Sequence, residues 1–361
     1  MSKAAELAKW GEVSTNGQVS GRRNIVINGA MNVAQRATST TGIGANGNVF
    51  VVDRFKTFAS STAGRATVSQ TADGPSGFAN CLKLDCTTAD TSIAAAEFFG
   101  VAYDFEGQDL QQLKKGTSDA EKVTLSFYVK GNAAATYTCE LKDNDNTRII
   151  AQTFAVTTSW NEIVLTFNAD TTGALDDDNA SSLSLNIWLH AGSTYNGGTF
   201  ASNVWASQTI ANRVADETSF FDSTDREFFI TGVQLEVGSV ATPFEHRSFG
   251  EELALCQRYY WQFGAGDPNY TPIGTGVSEG SFSNIAMFYP TKMRAAPAIA
   301  YSSGVQVFDG STARAVTGTR GAYIGVRSVN FQPNHASLVV GRGVYSSLTG
   351  TSEYFSFDSE L

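Results

Sequence analysis

Hydrophobic side chains fall at every second position along several stretches of this chain. Val123, Leu125, Phe127 and Val129 form one series, Ile163, Leu165 and Phe167 a second, and Leu183, Leu185, Ile187 and Leu189 a third. A period of two puts alternate side chains on one face of an extended segment, so each series predicts a strand with one face in a core. The longest run is Phe228-Phe-Ile-Thr-Gly-Val-Gln-Leu-Glu-Val-Gly238. It reads with Phe229, Thr231, Val233, Leu235 and Val237 on one face and Phe228, Ile230 and Gln234 on the other. It stops in Gly238-Ser239, and Pro243-Phe244-Glu245 continues extended, because proline removes an amide donor and biases its neighbour away from helix. Further strands are expected at 24–27, 48–58, 66–70, 81–86, 94–99, 136–142 and 149–156. Asp73-Gly-Pro-Ser-Gly, Lys130-Gly-Asn, Asp143-Asn-Asp-Asn and Asp176-Asp-Asp-Asn punctuate them as turns. Many strands with regular turns predict an all-β fold, a jelly-roll sandwich over residues 22–249.

Helical spacing is rare. Residues 106–118 predict one helix, with Leu110 and Leu113 inward and Lys115-Gly116 as a cationic end and a glycine cap. Residues 250–263 predict a short connecting helix in which Leu253, Cys256, Tyr260 and Phe263 form an i, i+3, i+7, i+10 stripe. That stripe reads as a packing seam, either within the chain or between copies of it. Residues 264–361 predict a second, smaller C-terminal β-sandwich domain, with strands at 281–289, 298–301, 305–308, 323–331 and 336–344. At the other end, residues 2–10 place Leu7, Ala8 and Trp10 on one side of a short helix, followed by a flexible linker at 11–21. A helix this short needs a partner surface, so it reads as a docking stub or as a disordered terminus.

Composition narrows the class. The 361 residues suffice for two domains with filled cores, and 42% are hydrophobic. A net charge of −10 argues against nucleic acid or anionic lipid as the principal ligand. No run of about eighteen apolar residues occurs, so no membrane insertion is expected. The first ten residues lack the apolar core of a secretion signal, so assembly in a cytoplasm is expected. Cys81, Cys86, Cys139 and Cys256 then read as reduced, buried thiols, with a Cys81–Cys86 bridge as the alternative.

The candidate chemistry points to binding. With only three histidines, His190, His246 and His335, a Ser–His–Asp site has no sequence support, and neither a nucleophile elbow nor a two-histidine metal motif occurs. No catalytic residue, metal or cofactor is therefore assigned. An acidic pair for sugar hydrolysis stays open, as in any chain rich in Asp and Glu. The Asp143 and Asp176 clusters offer oxygen ligands for calcium, but both are also good turn sequences. The long polar loop from Gly192 to Ala215 carries Tyr195, Phe200 and Trp205 among Asn196, Asn203 and Gln208. Such rings can stack on sugars while the amides bond hydroxyls, or they can pin the loop to its own domain.

Several segments together resemble a family. Arg23-Asn-Ile-Val-Ile-Asn-Gly-Ala-Met-Asn-Val-Ala-Gln-Arg36 and Val52-Asp-Arg-Phe55 look like the opening of β-jelly-roll domains in bacteriophage tail fibres and related virion proteins, especially marine ones. Leu125-Ser-Phe-Tyr-Val-Lys130 and Trp160-Asn-Glu-Ile-Val-Leu-Thr-Phe167 are similar to core strands of carbohydrate-binding modules. Gly232-Val-Gln-Leu-Glu-Val-Gly, Ala241-Thr-Pro-Phe-Glu-His and Leu255-Cys-Gln-Arg-Tyr-Tyr260 complete the pattern, which spans residues 22 to about 262. Ala37 departs from it, where many relatives have glycine. The resemblance implies a homotrimeric fibre or appendage on the virion. Its N-terminal stub would dock on other virion proteins, and its C-terminal domain would form the distal tip at host surface polysaccharide. Three roles follow, in order of preference: host adhesion, capsid decoration or collar, and polysaccharide depolymerase.

Overall fold

The structure, a computed structural model, describes residue 3, residues 22–264, residue 266 and residues 268–361. The expected docking helix with Leu7, Ala8 and Trp10, and the linker at 11–21, lie outside the described residues. The chain forms two compact units, Met1–Phe249 with Leu361 and Gly250–Glu360.

The first unit is a sandwich of two antiparallel sheets. One has six strands in the order β1 (Ser39–Ile43), β4 (Arg65–Thr71), β5 (Cys81–Thr88), β13 (Glu227–Val237), β7 (Val123–Gly131) and β10 (Asn161–Phe167). The other has seven: β12 (Ala206–Ser207), β9 (Arg148–Val156), β8 (Ala135–Asp143), β11 (Ser181–Ala191), β6 (Phe98–Glu106), β3 (Phe55–Ser60) and β2 (Asn46–Phe50). Inner-face side chains meet across the gap, with Phe127 edge-on to Phe154 at 5.2 Å and Tyr137 edge-on to Phe228 at 5.7 Å. Leu125, Phe127, Val129, Leu185 and Leu235 are all buried, as alternation predicts, and each stabilises by roughly 1.5–3 kcal/mol.

Strand β13 corrects the simple two-face reading. Phe228 and Ile230 point inward, yet so do Val233 and Leu235. A bulge between Thr231 and Gln234 inserts one residue against β7 and reverses the phase. Gly232 makes this possible at φ 64°, where a Cβ would also come within 2.8 Å of the Phe78 ring. Phe229 therefore faces outward, between the ammonium groups of Lys83 and Lys130 at 5.4 and 4.6 Å.

Beyond the bulge the outer face of β13 is covered by the chain that follows it. Gln234 and Glu236 are fully buried. The Gln234 amide donates to Glu236 Oε1 at 2.9 Å, the Thr242 N–H donates to the same oxygen at 3.0 Å, and the Thr242 hydroxyl donates to Oε2. Glu245 donates its N–H to Gln234 Oε1 at 2.8 Å and accepts the N–H groups of Arg23 and Asn24, each at 2.7 Å. Arg247 bonds the Val26 carbonyl at 3.0 Å. The opening motif is tied the same way: Asn28, at φ 61°, bonds both backbone groups of Val33 and the Asp53 carbonyl. Segments 23–36, 52–55 and 232–247 thus form one staple across the sandwich.

The helix expected at 106–118 is two 3-10 turns, Gly107–Asp109 and Gln111–Leu113. Leu110 and Leu113 still point inward, because residues three apart align in a 3-10 turn as they do in a helix. Lys114 and Gly116 both take positive φ, which ends any helix there. All four cysteines are free and buried; Cys81 and Cys86 lie five apart on β5 and so face opposite ways, and no bridge forms. Burial pushes the Cys86 thiol up to about 11.

The connecting helix is shorter than expected. Helix α2 (Phe249–Cys256) follows the small helix α1 (Ser193–Asn196) in chain order, and after it the chain turns into β14 (Tyr260–Gly264). Tyr-Tyr-Trp-Gln-Phe favours a strand, and β14 pairs along its length with β22 (Tyr354–Asp358). Leu253 and Cys256 are helical whereas Tyr260 and Phe263 are extended, so the four do not make one seam. Cys256 and Tyr260 are buried, and Phe263 packs on the second unit's core.

That unit is a closed barrel rather than the two-sheet sandwich expected. Its order is β15 (Pro272–Ser278), β16 (Ser283–Phe288), β20 (Ser328–His335), β19 (Ala313–Ile324), β18 (Val305–Phe308) and β21 (Gly343–Leu348), with β21 pairing back to β15. A three-stranded sheet of β14, β22 and β17 (Ala298–Tyr301) accompanies it. Ile285, Val307, Val329 and Phe331 fill the interior. Gly274 and Gly276 let β15 curve; a Cβ on Gly276 would overlap the Asn284 carbonyl.

Candidate functional site

Side chains in the phase opposite to the core stand in cross-strand rows on the outer face of the seven-stranded sheet. One row runs Phe58, Gly100, Trp188 and Thr138. The next is Lys56, Ala102, Asn186 and Glu140, and the third Asp104, Ser184 and Lys142. Gly100 is required by its neighbours: a Cβ there would lie 2.6 Å from the Phe58 ring and 2.2 Å from the Ile187 carbonyl oxygen. Its absence lets Phe58 reach across β6 to meet Trp188 edge-on at 5.1 Å.

The loop after β11 builds the remaining wall. Helix α1 sets Tyr195 against Phe98 at 5.2 Å and Trp188 at 5.4 Å. The 3-10 turn Ile210–Asn212 delivers Ile210 and Arg213. Trp188 is buried with Ala191 and Val214 in a small apolar cluster, on which the half-buried Phe58, Phe98 and Tyr195 pack. The result is an open cleft of about 460 Å³.

Its charged groups are held in place. Glu140 is fully buried and accepts both Arg213 Nε at 2.8 Å and Arg213 Nη2 at 2.6 Å. It also accepts Asn186 Nδ2 at 3.0 Å and Trp188 Nε1 at 3.2 Å, so a single carboxylate orients the guanidinium, the amide and the indole. The Arg213 guanidinium lies 4.7 Å from the Trp188 ring centre. Asp104 is similarly engaged by Lys56 and by the Ser184 hydroxyl. Lys142 differs: among the described residues no carboxylate lies within ion-pair distance of it. Burial, and then the Arg213 charge beside it, hold its ammonium below the ordinary lysine range.

The residues expected to meet sugars separate. Tyr195 and Gln208 line the cleft. Asn196 bonds the Ala191 carbonyl at 3.3 Å, and Phe200 is half-buried outside the cleft lining. Asn203 and Trp205 pin the loop down: Asn203 Oδ1 accepts Asn168 N–H at 3.0 Å, and the Trp205 indole donates to the Asn168 carbonyl at 2.7 Å. Phe58, Phe98, Trp188, Lys56, Lys142 and Arg213 were not singled out from sequence. A usable signal existed in β11, where Ser184, Asn186 and Trp188 occupy the non-core phase and a tryptophan there is out of place on a plain solvated face.

Other sequence candidates resolve into structure. Asp143 is buried, bonded by Lys115 at 2.5 Å and by the Asn146 N–H at 2.9 Å, so its cluster is a turn closed by an ion pair. Exposed Asp178 accepts the Ala180 N–H at 2.9 Å, which closes a turn without an ion pair of its own among the described residues. Ser219 Oγ lies 2.7 Å from His190 Nδ1, and Glu97 Oε2 lies 3.6 Å from Nε2, an order like that of a hydrolase triad. The imidazole is fully buried, however, beyond the reach of a substrate. Among the described residues no helix is long and apolar enough to cross a membrane.

No known protein family and no curated protein matches this chain. Solved structures similar to it include carbohydrate-binding domains and a phage tailspike. The family 11 carbohydrate-binding module from Clostridium thermocellum, in complex with a β-1,3-1,4-mixed-linked tetrasaccharide, is 12% identical over 57% of this chain and 99% of its own, with a TM-score of 0.28. A putative sugar binding protein from Bacteroides thetaiotaomicron is 14% identical over 60% of this chain and 100% of its own, at 0.30. The enzymatically active domain of bacteriophage CBA120 tailspike protein 4 is 11% identical over 59% of this chain and 21% of its own, at 0.31. Likenesses this distant assign no ligand to this chain, and the functional reading rests on the cleft.

Proposed function

We propose that the cleft on the seven-stranded sheet binds a glycan, and that the chain is a virion appendage through which a bacteriophage adheres to host surface polysaccharide. The observation that carries the glycan reading is the grouping of half-buried Tyr195, Phe58 and Phe98 beside Lys56, Gln208 and Arg213 in one open trough. Rings can take the apolar faces of pyranoses while the polar groups bond their hydroxyls. Binding without hydrolysis is favoured because the cleft carboxylates, Glu140 and Asp104, are each committed to cations and donors of the protein itself. The appendage role is supported by the sequence segments between residues 22 and 262 that resemble phage fibre proteins. A homotrimer, a virion partner at the N-terminus and a distal position for the barrel complete this reading. Several weak sites on one rigid assembly would multiply into firm attachment.

Titration of host surface polysaccharide and a glycan array against the full chain tests this. Binding that Tyr195→Ala weakens supports it, and no binding across the array sinks it. Falling polysaccharide chain length would instead indicate a depolymerase. Imaging of particles carrying labelled chain separates the virion roles: label at the tail fits adhesion, and label over the shell fits decoration.

A further inference from the structure

A second site lies away from the cleft, at one end of β11. A bulge between Trp188 and His190 sets His190 opposite Phe99, on the inner face, where Phe221 meets its ring edge-on at 5.4 Å. Asp90, after β5, and Glu97, just before β6, approach it there. One ligand atom from each of the three lies within 4.8 Å of the others, and their exposures are 5% for Asp90, 6% for Glu97 and 0% for His190. His190 Nε2 is buried with no hydrogen-bond partner, 3.6 Å from Glu97 Oε2. That gap is too long for a hydrogen bond. It is close to the roughly 3.4 Å that separates two donors each about 2.1 Å from a tetrahedral zinc ion.

We propose that Asp90, Glu97 and His190 bind a divalent transition-metal ion of the zinc type. Two carboxylates and one neutral imidazole carry a charge of −2, which the ion balances in a place where water is excluded. The nitrogen donor selects zinc over calcium, which prefers six to eight oxygens. Neighbouring groups fix the donors in advance. The Ser219 hydroxyl, 2.7 Å from Nδ1, holds the tautomer that leaves the Nε2 lone pair toward the carboxylates. Glu97 Oε2 accepts the Ala94 N–H at 2.9 Å, and Asp90 Oδ2 accepts the Thr62 hydroxyl at 3.0 Å and the Ala63 N–H at 2.8 Å. Asp90 Oδ1 takes a long bond of 3.3 Å from the Ser92 N–H, which leaves it room to ligate an ion. Because Glu97 precedes Phe98 and His190 follows two residues after Trp188, the ion would also anchor two cleft aromatics.

The test uses the full chain, stripped with a chelator and titrated with zinc chloride at neutral pH. Elemental analysis and calorimetry should give roughly one zinc per chain, with calcium chloride unable to compete. Glu97→Gln and His190→Asn should abolish uptake, and Ser219→Ala should weaken it by about 10–100-fold. Cobalt(II) added to the unaltered chain supplies a readout that does not depend on a variant folding: a visible absorption of tetrahedral intensity with a nitrogen donor supports the site. No zinc uptake by the unaltered chain, uptake equal in folded Glu97→Gln, or a cobalt spectrum of oxygen donors alone would each overturn it.

Discussion

Two carboxylate clusters in the jelly-roll unit use the same chemistry to opposite ends. Around Glu236 every donor comes from the chain itself, and the network is closed over by the tail that follows β13. Around Glu140 the carboxylate is equally buried, but the groups it orients, Arg213 and Asn186, line an open cleft beside Lys142. A closed network fixes the fold, whereas a network with donors at its rim prepares a surface for a ligand. The difference lies in where the outermost partner stands, not in residue type.

Breaking the closed cluster should have the largest effect. Glu236→Ala strands two Thr242 donors, while the Gln234 amide keeps the Thr242 carbonyl as a partner. At about 1–3 kcal/mol for each stranded group, denaturant titration should show a loss of about 2 kcal/mol or more. Glycan affinity of the folded fraction should stay unchanged. Tyr195→Ala should do the reverse, weakening glycan binding about tenfold with little change in melting temperature.

A third buried carboxylate sharpens the contrast. Burial pushes the Glu217 carboxyl well above the ordinary glutamate range, against the weaker pull of Thr138. A raised folded-state value contributes stability below the unfolded value and loses it as pH climbs through the folded one. Glu217→Gln should therefore stabilise the protein by about 1 kcal/mol at pH 7. Thermal melts of both proteins should converge once the pH drops under the ordinary glutamate range; an equal gain at every pH would refute the cause given. The smallest effect is expected at Lys142. Lys142→Met should weaken binding of glycans bearing a carboxylate or sulfate by about threefold and leave neutral glycans untouched. Acidic-glycan affinity should fade at a pH below that of an ordinary lysine, because the ammonium's value is lowered.

Much of the sandwich was legible because alternation with a period of two is local. Leu125, Phe127, Leu185 and Leu235 announce their inward face without knowledge of any partner. The reversed phase at Gly232 was not legible, since a bulge is defined by what lies opposite, and β7 is a hundred residues away. The same reason hid the turn of His190 to the inner face. The family-like segments at 23–36, 52–55 and 232–246 carry Asn24, Asn28, Gln234 and Glu245, which tie one staple, so these segments speak to fold and not to ligand. Of the candidate cleft, Tyr195 and Gln208 were found through their loop. Trp188 and Phe58 were passed over because non-core positions on a strand are read by default as solvated, and only cross-strand register brings them together. The barrel escaped for a similar reason: closure depends on β21 returning to β15, which no local pattern records.

That closure bears on how copies of the chain can meet. A ring of six strands leaves no row of vacant amides and carbonyls for a seventh to join. Copies brought together cannot fuse by lengthening this barrel. On the barrel itself they meet by side chains, among which Phe288 and Tyr323 are exposed, whereas the outer strands β14 and β17 of the three-stranded sheet keep edges that a further strand can join.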